Sequence, residues 1–220
     1  MNIALPSGLE YLGNTRLNSA KRITPLPTPD TLPDEDLARA LQRGETRALT
    51  LLVERHHAPL LGYLYRLTGG DRPLAEDLVQ ETFLRVLRSI RQYHPAQRFK
   101  PWLYAIATNL TRDHFKRADT RRTDPIQTGT LSLPDPHQPE PTFLAHDDAR
   151  QVIAALAHLP DPQREAIILR YYQDLSLAEI AETLNIPLGT VKSRLSIGLQ
   201  KLRELLENDS PPRSQRPQSY

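Results

Sequence analysis

The charged side chains of the segment after Asp71 could bind a partner, because they gather on one side of a predicted helix. Residues at i, i+3, i+4 and i+7 spacing form its apolar stripe, and they are Ala75, Leu78, Val79, Thr82, Phe83, Val86, Leu87 and Ile90. The opposite side, the acidic patch, carries Asp77, Gln80, Glu81, Leu84 and Arg88. A leucine ringed by acidic and polar groups is typical of a docking patch for a basic helix. Single exposed leucines are also common, so an ordinary solvated face stays open as the alternative.

The sequence offers little for catalysis. Asp77 and Glu81 could pair as acid and base, but no histidine, glycine-rich loop or metal-spaced partner accompanies them. The nearest approach to a metal site is His56 and His57 beside Glu54, and adjacent histidines point to different faces of a helix. The chain has no cysteine, which excludes disulfides, thiolate metal sites and cysteine nucleophiles. We therefore predict a protein that is not an enzyme and has no cofactor or metal.

Basic and aromatic residues interleave in the middle of the chain. Between Arg98 and Arg122 the sequence has seven lysines or arginines and only two aspartates. A basic stripe is a possible nucleic-acid footprint, and interleaved aromatics suit single-stranded or distorted DNA, whose bases can stack or be flipped. Trp102, Ile106 and Leu110 share one predicted core side. A plain amphipathic helix fits the same pattern.

The segment from Ser176 to Arg203 predicts a helix-turn-helix. Ser176 and Glu179 have capping-box spacing, Asn185 can take the left-handed turn conformation, and Pro187 suits the first position of the next helix. The outward side of that helix is small, polar and basic, whereas its predicted buried side consists of Val191, Leu195, Gly198 and Leu202. Such a face can contact base edges and phosphates in a major groove. An ordinary surface helix is the alternative.

Prolines divide the chain into two helical blocks, because each proline fixes φ and removes a backbone donor. We predict an all-α protein of two small helical domains joined by a proline-rich flexible linker. The predicted boundaries are a disordered tail over 1–32, a first domain over 33–118, a linker over 119–142, a second domain over 143–208 and a disordered tail over 209–220. A helix through residues 159–172 would brace the second domain, with Tyr171 and Tyr172 as packing residues.

Composition agrees with small helical domains. Hydrophobic residues make up 39% and aromatic residues 6% of the 220 residues, which favours aliphatic helical cores. The net charge of +2 says little about partners. No run of about 18 apolar residues occurs and the N-terminus lacks a signal-peptide core, so we expect a cytoplasmic chain without membrane insertion.

Three motifs in fixed order resemble the sigma-70 family of RNA polymerase sigma factors, extracytoplasmic-function (ECF) group. Asp77-x-x-Gln80-Glu81-x-Phe83 resembles region 2.2, and Pro101-Trp102-Leu103-x-x-Ile106-Ala107-x-Asn109 resembles regions 2.3 to 2.4. The segment from Leu159-Pro160 through Gly189-Thr190-Val191-Lys192-Ser193-Arg194 resembles region 4. The resemblance covers about residues 35–118 and 145–207 and implies a subunit that takes bacterial RNA polymerase to promoters and assists DNA opening.

The resemblance also implies a role for each group of residues. The acidic patch would grip the clamp helices of the polymerase β′ subunit, and the second domain would contact the β flap. The loop over 92–100 with the following helix would recognise the −10 element through Phe99, Lys100, Asn109, Arg112, Asp113, Lys116 and Arg117. The recognition helix would read the −35 element through Thr190, Lys192, Ser193, Arg194, Ser196, Ile197 and Gln200. An anti-sigma factor is an expected further partner. A stand-alone helix-turn-helix regulator is the competing hypothesis.

Overall fold

The computed structural model describes residues 32–123 and 143–209, and within them every regular element is a helix. The N-terminal domain consists of α1 (Asp34–Gln42), α2 (Thr46–Leu67), α3 (Arg72–Ser89), a 3-10 turn (Ile90–Gln92) and α4 (Phe99–Thr123). The C-terminal domain consists of α5 (Phe143–Ala157), α6 (Asp161–Tyr171), α7 (Leu177–Leu184) and α8 (Leu188–Asp209). The predicted all-α class is confirmed.

The core of the N-terminal domain lies where α2, α3 and α4 meet. Leu52, Leu60, Leu64 and Tyr63 face inward from α2 and are fully buried. The Tyr63 and Tyr104 rings meet edge to face with centroids 5.0 Å apart, which is a favoured aromatic geometry. Burial of these stripes gives α2, α3 and α4 fixed relative positions.

The short helix α1 is tied to α2 by charged groups. Asp34 accepts hydrogen bonds from Arg55 Nη1 at 2.9 Å and from His56 Nε2 at 2.8 Å. Burial alone would raise the pKa of Asp34, but the hydrogen bonds and charges of His56 and Arg55 outweigh it and lower that pKa. The carboxylate therefore stays ionised and holds the N-terminus of α1 against α2.

The start of α3 follows the predicted capping chemistry. Asp71 lies at the N-cap, and its carboxylate accepts a hydrogen bond from the Leu74 amide at 3.0 Å. Pro73 lies in the first turn, where its missing N–H costs nothing. The apolar stripe of α3 is buried as predicted with one exception: Leu87 is exposed, because it lies at the margin of the stripe next to the solvent-facing side.

The helix-turn-helix of the C-terminal domain is formed by α7 and α8. The Glu179 amide donates to Ser176 Oγ at 3.2 Å and the Ser176 amide donates to Glu179 Oε2 at 2.8 Å, which is the predicted capping box. Asn185 has φ 52 and ψ 53, the predicted left-handed conformation that ends α7. Pro187 immediately precedes α8 rather than opening it, since Leu188 is the first helical residue.

Two other local predictions need correction. Tyr171 and Tyr172 are exposed, not packed in the core, because both lie at the C-terminal end of α6, where the chain leaves the interior. The loop predicted over 92–100 ends earlier, since α4 begins at Phe99. At its other end α4 continues to Thr123, past the boundary predicted at 118. The rest of the predicted linker and most of both predicted tails lie outside the described residues.

None of the helices in the described ranges is both long and apolar enough to cross a membrane.

Gly198 lets α8 approach α6 closely, and this contact generates a stability prediction. A Cβ at position 198 would stand 2.8 Å from Ile167 Cδ1 and 3.0 Å from Gln163 Cβ. Overpacking costs about 1–3 kcal/mol, whereas alanine regains at most about 1 kcal/mol of helix propensity. We expect Gly198→Ala to lower the free energy of unfolding of the full chain, measured by urea denaturation followed by circular dichroism.

Gly189 provides the matched control, because it lies in the same helix and an added Cβ meets nothing within 4 Å. Gly189→Ala should leave the free energy of unfolding unchanged or raise it slightly. Equal effects of the two substitutions would show that the α6–α8 contact is looser than described.

Candidate nucleic-acid and protein interfaces

The acidic patch of α3 faces solvent. Asp77 and Gln80 are exposed, Leu84 retains 46% of its accessible surface, and Glu81 is partly covered. Arg88 Nη1 lies 3.4 Å from Glu81 Oε1, a long contact between exposed groups that contributes little to stability. All five predicted residues therefore occupy one continuous, accessible side of α3, with an apolar centre and a negative rim.

The N-terminal end of α4 is positioned by residues far away in sequence. Glu35 Oε1 accepts a hydrogen bond from the Phe99 amide at 3.1 Å and so caps the helix from α1. The Phe99 ring has neighbours on several sides, with centroid distances of 5.5 Å to His56, 6.0 Å to Tyr93 and 5.8 Å to Trp102. Trp102 is only partly buried, although it packs against the core as predicted.

Phe99 requires a correction as a predicted DNA contact. Its side chain has 0% exposure, so it cannot touch DNA without unfolding the start of α4. The ring is a core residue instead, and its burial accounts for the early start of the helix. The basic and aromatic mixture in the sequence does not distinguish a ring that faces a ligand from one that anchors the start of the helix.

The other residues of the predicted −10 group lie along α4. Asn109, Asp113, Lys116 and Arg117 are exposed and have no partner among the described hydrogen bonds of their side chains. Lys100 and Arg112 differ, because both contact the C-terminal domain: Lys100 Nζ donates to the Gln173 carbonyl at 2.6 Å and Arg112 Nε donates to Glu165 Oε1 at 2.7 Å. The predicted group is thus divided between free residues and residues held at a domain contact.

The recognition helix α8 presents an accessible face. Lys192, Ser193, Ser196 and Gln200 are exposed, and Ile197 retains 56% of its accessible surface, whereas Thr190 and Arg194 are half-buried. Ser193 Oγ donates to the Thr190 carbonyl at 3.0 Å, and its two lone pairs remain available to accept hydrogen bonds. Val191 and Leu195 are buried on the opposite side, as predicted. Small hydroxyls, an amide, an amine and an apolar side chain that could meet a thymine methyl lie together on this face.

Sequence reasoning missed the residues of the C-terminal domain that contact α4. Glu165 is 2% exposed, and its carboxylate binds the Arg112 guanidinium at two atoms. Gln173 is buried, and its side-chain oxygen accepts a hydrogen bond from the Tyr104 hydroxyl. The hydrogen bond to Glu165 is the main cause that raises the pKa of Arg112, so the guanidinium stays charged. An acidic residue within the apolar stripe of α6 was the only signal in the sequence that could have indicated such a contact.

Metal-binding geometry is not found in the described parts of the chain, where no three histidine, aspartate or glutamate side chains cluster suitably. His56 binds Asp34 rather than joining His57, since the two rings leave the helix in different directions.

Two compact helical domains, one of which contains a helix-turn-helix with an accessible polar face, define an all-helical DNA-binding protein. Residues 52–121 match the family model for Sigma-70 region 2, and residues 155–204 match the model for Sigma-70, region 4. The ECF RNA polymerase sigma factor SigW of Bacillus subtilis is 32% identical over 77% of this chain and 95% of its own length. The chain therefore belongs to the ECF sigma factors of the sigma-70 family.

Two further comparisons agree with this membership. The ECF RNA polymerase sigma factor SigE of Mycolicibacterium smegmatis is 38% identical over 74% of this chain, which spans 63% of that relative. Among solved structures, the sigma factor RpoE of Bartonella quintana in complex with the anti-sigma factor NepR has a TM-score of 0.58 and 25% identity, and covers 73% of this chain and 98% of its own.

Glu179 combines a helix cap with a contact between domains, and this generates a pH prediction. Burial would raise the pKa of Glu179, but hydrogen bonds from Ser176 and from Arg98 outweigh it and lower the pKa below its ordinary value of 4.5. A carboxylate whose pKa is lowered by folding stabilises the fold above the ordinary pKa, and this contribution is lost as the pH falls through the lowered value. Glutamine can still form the capping box, so Glu179→Gln removes the charge alone.

We expect Glu179→Gln to reduce the free energy of unfolding at pH 7, and the difference from the wild type to shrink below about pH 4.5. Glu179→Ala, which also removes the cap, should cost about 1 kcal/mol or more at pH 7. Urea denaturation at pH values between 3 and 7 measures the free energy of unfolding of both variants and of the wild type. If the difference in free energy of unfolding between the wild type and Glu179→Gln is constant over this pH range, the lowered pKa of Glu179 is wrong.

Proposed function

We propose that this chain directs bacterial RNA polymerase core to promoters and assists DNA opening, with the acidic patch as the polymerase-binding surface. The observation that carries the assignment is the accessible leucine at the centre of that patch, Leu84, with Asp77 and Glu81 on one side of α3. An apolar centre with a negative rim suits a basic helical partner, because burial of the leucine supplies affinity and the charges supply orientation. The β′ clamp helices are the proposed partner.

The two DNA contacts are proposed to lie on different domains. Asn109, Asp113, Lys116 and Arg117 of α4 would contact the −10 element, together with Lys100 and Arg112, and α8 would enter the major groove at the −35 element. One short helix buries little surface, so each domain alone binds weakly. Polymerase raises the effective concentration of each domain on DNA by holding both at a fixed separation. No catalytic step is proposed for this chain, which would act in the cytoplasm together with the polymerase.

An anti-sigma factor and the β flap are proposed as further partners of the C-terminal domain. The RpoE structure of Bartonella quintana contains an anti-sigma factor, and its similarity to this chain supports the same class of inhibitor here. A shallow groove bounded by Tyr171, Leu199, Leu202, Arg203, Leu206 and Glu207 offers an accessible, partly apolar surface for either partner. The stand-alone regulator hypothesis has no support from the relatives, which are sigma factors.

Reversing the charge of the acidic patch should abolish polymerase binding. We expect the variant Asp77→Lys, Glu81→Lys, Leu84→Ala to lose at least about tenfold in affinity for core polymerase, since about 1.4 kcal/mol corresponds to tenfold and the variant removes both rim charges and the apolar centre. Fluorescence anisotropy with labelled chain measures the affinity, and run-off transcription with core polymerase measures function.

Glu54→Lys is the matched control, because it makes the same type of charge change at an exposed position of α2 outside the patch. This control should bind polymerase and support transcription as the wild type does. Undiminished polymerase binding by the patch variant, or no promoter-dependent transcript with the wild-type chain, would reject the proposal.

A phosphate contact by the recognition helix should be visible in the salt dependence of promoter binding. Lys192 is exposed near the N-terminal end of α8, the end that contacts bases in a helix-turn-helix, whereas Lys201 is exposed nine residues, about 13.5 Å, further along the helix. Lys192→Ala should weaken promoter binding by the polymerase complex and reduce the slope of log K against log salt by about 1. Lys201→Ala should leave that slope unchanged, and equal slopes for all three proteins would place Lys192 away from DNA.

A further inference from the structure

A large apolar side chain, Ile197, is exposed among small and polar residues of α8. It retains 56% of its accessible surface, although isoleucine is among the residues that proteins most often bury. Its neighbours on the same side of the helix, at i−4 and i+3, are Ser193 and Gln200, and Ser196 directly precedes it. Because the serine side chains are short, Ile197 projects beyond them. A single exposed apolar residue means little by itself, so the assignment depends on its surroundings.

The two polar neighbours of Ile197 each donate a hydrogen bond within α8. Ser193 Oγ donates to the Thr190 carbonyl at 3.0 Å, so the helix itself uses its hydroxyl hydrogen. Gln200 Nε2 donates to Glu204 Oε1 at 3.1 Å, which directs the amide of Gln200 towards the next turn. The methyl groups of Ile197 are therefore free to meet a ligand, while the polar groups on either side are oriented along the helix.

The charge of α8 indicates what kind of ligand its exposed face would bind. Residues 188–203 include no acidic residue and four basic ones, which are Lys192, Arg194, Lys201 and Arg203. A basic helix with a small, polar face favours a polyanion such as DNA. Ile197 is not one of the residues that bound the shallow groove near Tyr171, the proposed surface for protein partners. The exposed isoleucine thus lies on the proposed DNA-binding face and apart from that groove.

The major groove of DNA offers an aliphatic side chain one apolar group, the 5-methyl group of thymine. Cytosine has a hydrogen atom at the same carbon, and the purine edges present hydrogen-bond donors and acceptors. Contact between the methyl group and an isoleucine removes apolar surface of both partners from water. Uracil lacks the methyl group but keeps the hydrogen-bonding groups of thymine, so a thymine-to-uracil replacement isolates this contact.

We propose that Ile197 is a specificity-determining residue, which selects thymine at one position of the −35 element by contact with its 5-methyl group. The proposal rests on the proposed function, since it assumes that α8 enters the major groove of promoter DNA. The short side chains of Ser193 and Ser196 let the edge of the base approach the isoleucine. Ile197 supplies selectivity at that base pair, whereas the basic residues of α8 supply affinity that does not depend on sequence.

The experiment uses core polymerase with the full-length chain, and a promoter selected by this complex from DNA that is randomised over the −35 element. Fluorescence anisotropy measures the affinity of the complex for this promoter and for versions in which one thymine at a time is replaced by uracil. We expect one of these replacements to weaken binding about fourfold, which corresponds to about 0.8 kcal/mol for one buried carbon. Cytosine and 5-methylcytosine at the same position should differ by a similar factor, and the methylated base should bind more tightly.

Ile197→Ala tests whether the isoleucine is the residue that contacts the methyl group. This variant should bind the selected promoter more weakly than the wild type and should no longer distinguish thymine from uracil, because the two changes remove the same contact. Leu188→Ala is the matched control: Leu188 retains 45% of its accessible surface on the same helix, but it lies about two and a half turns earlier and points in the opposite direction. The control should keep the preference for thymine over uracil, and circular dichroism checks that both variants are folded.

The possible results separate this inference from the proposed function. If the complex initiates transcription at the selected promoter but no uracil replacement in the −35 element weakens binding, the selection of thymine is wrong and the sigma-factor function stands. If Ile197→Ala keeps the preference for thymine over uracil, another residue contacts the methyl group and the role of Ile197 is wrong. If Ile197→Ala instead lowers affinity for core polymerase without DNA, the isoleucine is a protein contact and the inference is also wrong. Failure of the wild-type chain to support initiation at any promoter would reject the proposed function, and this inference with it.

Discussion

A buried carboxylate is the constraint on which the arrangement of this protein depends. Removing an ionised carboxylate from water costs several kcal/mol unless a well-placed partner compensates it. Glu165 has that partner, but Arg112 belongs to the other domain. The buried carboxylate is therefore compensated only while the two domains are in contact. The ion pair of Arg112 and Glu165 fixes the relative position of the two domains more than it stabilises the fold.

The side chains of α4 have different roles on different sides and along different parts of the helix. Leu103, Tyr104 and Ala107 are buried and complete the N-terminal core. Towards its C-terminal end the side chains of Lys116 and Arg117 are free in solvent. Between these regions Arg112 is both accessible enough to meet a ligand and close enough to Glu165 to be held. A helix that is anchored at its first turn by Glu35 can present different chemistry along its length without moving.

Local rules predicted the elements well, and long-range contacts account for the errors. The capping box at Ser176, the left-handed Asn185 and the exposure of Leu84 each follow from residues within a few positions, so spacing alone was sufficient. Phe99 was predicted to contact DNA, yet its ring is buried against His56 of α2, Tyr93 of the loop before α4 and Trp102 of α4, which no periodicity reveals. Tyr172 was predicted as a packing residue of the second domain, whereas its ring is partly exposed and contacts Arg66 of the first domain.

The chemical character of the domain contact determines what its separation would cost. An aliphatic contact would resist opening in proportion to its area, and the exposed surfaces would then invite association with other chains. The contact here combines both kinds of group, since guanidinium, carboxylate and amide groups lie beside apolar side chains that form one continuous buried cluster over the two domains. Because arginine binds a phosphate with the same fork that it offers a carboxylate, Arg112 is held by Glu165 in a geometry that would also suit a phosphate. Separation of the two domains would therefore expose apolar surface as well as charged groups.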